Sequence, residues 1–139
     1  MADFVTIGFS EIEKQISELG DAVSDVADQM LLEGAAEMVN AWKDSAQRFG
    51  HVETGDMINS ISHPRQPKTS GGVKTIDISP QGKDRKGVRN AEKAFLLNYG
   101  TSSIPATHWV DNAEERGGPA AQAKMEEVFN RKMAEKGLE

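Results

Sequence analysis

The sequence predicts an α+β fold, a long N-terminal helix and a C-terminal helix packed on a small antiparallel β-sheet. Three observations carry it. Residues 9–49 hold an apolar stripe at helical spacing, residues 60–79 alternate as an edge hairpin would, and residues 119–136 return to the helical period. The chain has 139 residues, 37% hydrophobic and 27% charged, which suits one soluble domain spanning 1–139 with a real core.

In the first segment the stripe runs through Ile12, Ile16, Leu19, Val23, Val26, Met30, Gly34, Met38, Trp42, Ala46 and Phe49. Steps of three and four residues mark one face of an α-helix. Ser10 is placed to cap it, with Glu13 completing a capping box. Gly20 can divide the segment, because a mid-helix glycine costs about 1 kcal/mol against alanine. Gly34 lies on the stripe itself and can admit a close neighbour; Gly50 supplies the stop. At about 1.5 Å per residue, a single helix of this extent is a rod of roughly 60 Å.

Residues 53–89 read as a hairpin and a basic loop. Thr54 can cap a short turn over Gly55–Asn59. From Ser60 the pattern is extended, and Pro64 and Pro67 confine it to a sheet edge. The turn "TSGG" precedes "VKTIDIS", in which Ile76 and Ile78 share a face, so 60–66 is expected to pair with 73–79. "PQGKDRKGVRN" is polar and glycine-rich and reads as a mobile basic loop. Residues 90–116 read as a short helix, "AEKAFLLNY", capped by Asn90 and stopped by Gly100, then a turn region. There Pro105 biases Ile104 to extended geometry, and Thr107 can cap a turn through Trp109 that "RGG" closes. Pro119 suits the first turn of a last helix over 119–136, with Ala121, Met125, Val128, Phe129 and Met133 along one face.

Charge is unevenly spread. Residues 1–44 carry ten acids against Lys14 and Lys43, a net of −8, while residues 62–90 carry seven bases against Asp77 and Asp84, a net of +5. Such a chain can present Lys83, Arg85, Lys86 and Arg89 to Glu18 and Asp25 on the helix of a neighbouring copy. The alternative is a solvated helix face followed by solvated loops.

Little else points to chemistry. With no cysteine there is neither a disulfide framework nor a thiolate metal site. His51, His63 and His108 are scattered, without the paired spacing of a zinc site. Ser102, Ser103 and His108 lie near one another, yet no nucleophile elbow is present, nor any glycine-rich phosphate loop. No catalytic, cofactor-binding or metal-binding residue is assigned, and the chain is not expected to be an enzyme. The basic stretch 62–90 has no aromatic residue on which bases could stack. No apolar run approaches the roughly 20 residues that span a bilayer, and the N-terminus lacks the pattern of a signal peptide.

Two stretches carry a family resemblance: "ETGDMINSI" (53–61) and "AFLLNYGTSSIPATHWVDNA" (94–113). They resemble the lambdoid-phage minor tail-component, or tail-completion, proteins of the head–tail neck. That family shows a T-G-x-L-x-x-S-I stretch after a long helix, then an aromatic-led G-T turn, a proline, an apolar-aromatic element and a closing helix. Thr54, Gly55, Met57, Ser60 and Ile61 match the first motif, Met57 replacing leucine. Tyr99, Gly100, Thr101, Pro105, Ala106, Trp109, Val110 and Ala113 match the second. Asn98 stands where the family has an acidic residue, and "RGGP" (116–119) interrupts what is often a continuous last helix.

The resemblance implies a structural virion protein, assembled in the bacterial host cytoplasm and resident in the tail or neck. It implies a homo-oligomeric ring, six-fold or twelve-fold, that meets connector or stopper and tail-terminator proteins and passes DNA without gripping it. No cofactor and no membrane is implied. The competing reading is a small regulatory binding module whose basic loop contacts nucleic acid or an acidic partner. Gly100 and Pro105 read as devices of shape that frame a contact surface.

Overall fold

The apolar stripe of the first segment forms α1, Ser24–Arg48, in a computed structural model of the protein that describes residues 5–8 and 24–137. The expected helical stretch from 9 to 23, with its Ser10 capping box, Gly20 and Glu18, lies outside the described residues. Gly50, at φ 77°, stops the helix, and backbone bonds from Gly50 to Gln47 and from His51 to Ala46 close its last turn. Ahead of α1 lies β1, Val5–Gly8, a strand that the sequence pattern does not announce. Four residues are too few for a period to show.

After α1 come a short helix α2 (Asp56–Ser60), strands β2 (Ile61–Ser62), β3 (Lys68–Ser70) and β4 (Val73–Pro80), helix α3 (Asn90–Tyr99) and the second long helix, α4 (Trp109–Glu135). Helices α1 and α4 run antiparallel along one another. Ser45 Oγ donates to the Trp109 carbonyl at one end, at 2.5 Å, and Lys136 meets Asp25 at 3.4 Å at the other. Between them the helices are close enough to need glycine. A Cβ on Gly34 would lie 2.5 Å from Met125 Sδ, and one on Gly117 would lie 2.5 Å from Ala41 Cβ. Buried Met30, Leu31, Met38 and Trp42 of α1 share one core cluster with Val110, Met125 and Val128 of α4. Trp42 and Trp109 meet edge to face with ring centroids 5.6 Å apart.

Helix α4 corrects two expectations. "RGGP" marks a break in sequence and Pro119 the start of a new helix, yet α4 runs through both. Gly117 is required by the seam between α1 and α4. Gly118 has no Cβ to clash with the ring of Pro119, the clash that ordinarily drives a residue before proline out of helical geometry. The carbonyl of Glu115, which Pro119 cannot serve, belongs to an exposed residue, where solvent can take the bond. Thr107, expected as a cap, instead donates its hydroxyl to the Leu97 carbonyl, and His108 occupies the N-cap position at φ 55°.

In the sheet, β4 is central. β1 pairs with it antiparallel in the register Val5–Ile78 to Gly8–Thr75, and β3 pairs in the register Lys68–Thr75 to Ser70–Val73. Because Gly8 and Lys68 both partner Thr75, β1 and β3 flank β4 on opposite sides. β2 pairs with Ser79 and Pro80 on the side away from β1. The hairpin expected from 60–66 with 73–79 is thus split. Residues 63–67, with Pro64 and Pro67, pair with nothing in the ladder, and the edge lane consists of two short pieces. Ile76 and Ile78 alternate into the core against α1, as the period-two pattern demanded. Lys74 reaches Asp28 of α1 at 2.6 Å and ties sheet to helix.

Candidate interaction surface

The first motif is built for shape. Gly55, at φ 80° and ψ −7°, turns the chain into α2, and the amide of Asp56 donates to Thr54 Oγ1 at 3.3 Å. Met57, Ile58 and Ile61 then enter the core, while Ser60 Oγ donates to the Met57 carbonyl at 2.7 Å. Each matched residue is therefore a turn, a cap or a core contact.

The second motif does the same at the end of α3. Three carbonyls left open there are taken by the chain that follows: Gly100 N donates to Leu96, Thr107 N to Leu97 and His108 N to Asn98. For this the chain must fold straight back. Gly100 sits at φ 78° and ψ 172°, outside the left-handed helical region that a helix-terminating glycine ordinarily adopts and in one that glycine alone tolerates. Thr101 Oγ1 accepts from the amides of Ser103 and Ile104, Thr101 N donates to the Ile104 carbonyl, and Pro105 follows on the exposed rim of the turn. Trp109 is fully buried and donates its indole N–H to the Ala94 carbonyl at 3.2 Å.

Asn98, where the family has an acid, is fully buried, and its Oδ1 accepts from Val110 N at 2.9 Å, capping the first turn of α4 from a different helix. Its Nδ2 has no hydrogen-bond partner among the described residues. The capping oxygen is common to Asn and an acid; the orphaned nitrogen is what the amide adds. Asn90, expected as the cap of α3, is buried within it and donates Nδ2 to the Gln81 carbonyl at 2.8 Å. Nothing in the local sequence marks these long-range roles.

The stretch expected to be a mobile basic loop is a closed turn organised by Asp84. That carboxylate accepts from the amides of Lys86 and Val88 and from Lys93 Nζ at 2.6 Å, and only 4% of its side chain is exposed. The bond from Lys93, with those from the two amides, holds its pKa below the ordinary value. Lys83 and Arg89 form the bridge that closes the turn. Arg85 folds back to Asp56 through a two-pronged contact at 2.8 and 2.9 Å, and its bonds hold the Asp56 carboxyl well below the usual carboxylate range. Lys86 reaches Glu53 at 3.3 Å. Of the residues read as a candidate subunit interface, Arg85, Lys86 and Asp25 thus have partners within their own chain, and Glu18 lies outside the described residues.

Helix α3 separates two surfaces. On its outer face Phe95 and Tyr99, about half exposed, meet at a tilt with ring centroids 4.7 Å apart. On its other side Lys93 and Leu97, with Gly50, His51, Glu53, Thr54 and Met57, line a cleft of about 240 Å³. With the Thr107 hydroxyl proton given to Leu97, His51 Nε2 donates to Thr107 Oγ1 at 2.9 Å; the ring stacks on Phe49, and burial lowers its pKa below the ordinary 6.5.

Among the described residues no three His, Asp or Glu side chains converge where they could hold a metal, and no helix is long and apolar enough to cross a membrane. No curated protein and no solved structure matches the chain. A family model does match, over residues 10–100, which takes in α1, the first motif, the sheet segments β2 to β4 and α3. Its description is "Bacteriophage HK97-gp10, putative tail-component". The chain belongs to this HK97-gp10-like family of phage tail components.

Proposed function

We propose that the protein forms a ring at the head–tail neck of a tailed phage or phage-derived particle, where it completes the tail and helps join it to the head. It is a structural, non-enzymatic component of the virion. The observation that carries this reading is the use to which both motifs are put. Thr54, Gly55, Met57, Gly100, Thr101 and Trp109 serve turns, caps and core, and together they hold α3 with one aromatic face outward and a cleft behind it. A chain that invests its distinctive residues in presenting surfaces is suited to assembly. The same copies meeting head to tail close a ring when the rotation between them divides a full turn. Its neighbours along the particle axis would be connector or stopper and tail-terminator proteins, and DNA would pass without tight binding.

The regulatory-module alternative loses ground, because Arg85, Lys86 and Lys93 are held by acids of their own chain. The test is deletion of the gene from the phage that carries it. Unjoined full heads and tails in electron micrographs, restored by the gene supplied in trans, support the neck role. Normal particles, or joined particles with altered tail length, would reject it.

A further inference from the structure

Helix α3 carries two features that fit one another. Lys93 and Leu97 line the cleft, whereas Phe95 and Tyr99 lie two residues on, about 200° around the helix. The cleft and the aromatic pair therefore face in nearly opposite directions from one rigid element. That is the arrangement a head-to-tail contact requires, since each copy must offer one surface to the copy ahead and the other to the copy behind. Size agrees as well. The cleft holds about 240 Å³, and an apolar cavity of about 150 Å³ already accepts benzene. Among its lining residues Met57 and Leu97 offer apolar contact to a ring, and His51, Glu53, Thr54 and Lys93 offer polar partners to a phenol hydroxyl, which enters first when a tyrosine reaches in from another chain.

Charge points the same way. In a chain that is 27% charged, the fourteen residues 94–107, "AFLLNYGTSSIPAT", contain no Asp, Glu, Lys, Arg or His. Within this stretch the aromatic pair and residues 101–106 are all exposed. Depletion of charge about an exposed tyrosine is the composition of an interface centre.

We infer that the occupant of the cleft is Tyr99 of a second copy of this chain, with Phe95 packed beside it, and that this contact is the repeating joint of the assembly. The inference rests on the ring reading above and supplies its interface. It also moves the joint away from the basic turn, so association driven by it is only weakly sensitive to salt.

The absence of native cysteine makes the contact testable by cross-linking. Tyr99→Cys and Glu53→Cys are prepared separately, mixed at concentrations where light scattering shows oligomers, and oxidised in air with a copper catalyst. The expected result is a disulfide-linked dimer in the mixture and none in either variant alone. Tyr99→Ala should raise the concentration of half-assembly at least tenfold without moving the melting temperature, and Tyr99→Phe should restore most of it. Rings that form without the mixed cross-link would overturn the joint and leave the ring standing. So would cross-linking of Tyr99→Cys to itself, which marks a symmetric contact, or an assembly constant that falls steeply with salt. A chain monomeric at every concentration and on isolated tail ends would remove both.

Discussion

Replacing Gly100 by alanine tests the role assigned to the second motif. A Cβ there would lie 2.7 Å from Ala106 N and 2.8 Å from the Ile104 carbonyl oxygen. Both are backbone atoms of the returning chain, held by hydrogen bonds from Thr101 N to Ile104 O and from Thr107 N to Leu97 O, so neither can step aside as a flexible side chain would. The backbone angles add a second penalty, because a side chain at φ 78° and ψ 172° costs about 1–3 kcal/mol by itself. Overpacking adds about 1–3 kcal/mol, and since one backbone shift relieves both, the sum should be about 2–4 kcal/mol. At about 4 °C per kcal/mol, the melting temperature falls by about 8–16 °C. Gly50→Ala provides the comparison: φ is 77° but no atom lies within 4 Å of its added Cβ. It should cost only about 1–2 kcal/mol. Thermal unfolding followed by circular dichroism measures both variants. If Gly100→Ala is as mild as Gly50→Ala, residues 101–106 yield freely and do not form the rigid return that positions α4.

The seam between α1 and α4 gives an opposed pair of expectations. Gly117→Ala should destabilise by about 1–3 kcal/mol, because its Cβ would strike Ala41. Pro119→Ala, on the exposed side of the same helix, should stabilise by up to about 3 kcal/mol by restoring a backbone donor; denaturant midpoints check both. Asn98→Ala should cost about 1–2 kcal/mol through loss of the bond to Val110 N, again read from the denaturant midpoint. Stability should fall in two stages with acid. His51 has a lowered pKa when folded, so the unfolded chain takes the proton first and stability declines below about pH 6.5. Asp56 and Asp84 are also lowered, and their contribution, full above the ordinary 3.8, is lost as pH falls below it. His51→Gln should remove the first stage and leave the second. Arg85→Ala should speed trypsin cleavage beside Lys86 several-fold by releasing the turn from Asp56, and should lower the melting temperature slightly at neutral pH as the Asp56 part of the acid stage is lost.

The sequence by itself determined what local periodicity and backbone restriction can encode. The stripe through Met30, Met38 and Trp42, the alternation of Ile76 and Ile78, and the stop at Gly100 each follow from the pitch of one element or the freedom of one residue. Gly34 on the apolar stripe already signalled a close neighbour, which proved to be Met125. Only the tertiary structure decided the rest, because it depends on residues far apart in the chain. Pro119 reads as a helix start until the seam that binds α4 on both sides of it is seen, since packing over so long a helix outweighs one lost hydrogen bond. The run 80–90 reads as loose until Asp84, Asp56 and Lys93 are placed around it; polar anchors leave no hydrophobic trace in sequence. Tyr99 could be quoted as a motif residue, but not its direction. That it lies on the face of α3 away from the cleft lined by Met57 and Leu97 is a relation between faces of a helix and the chain packed behind it.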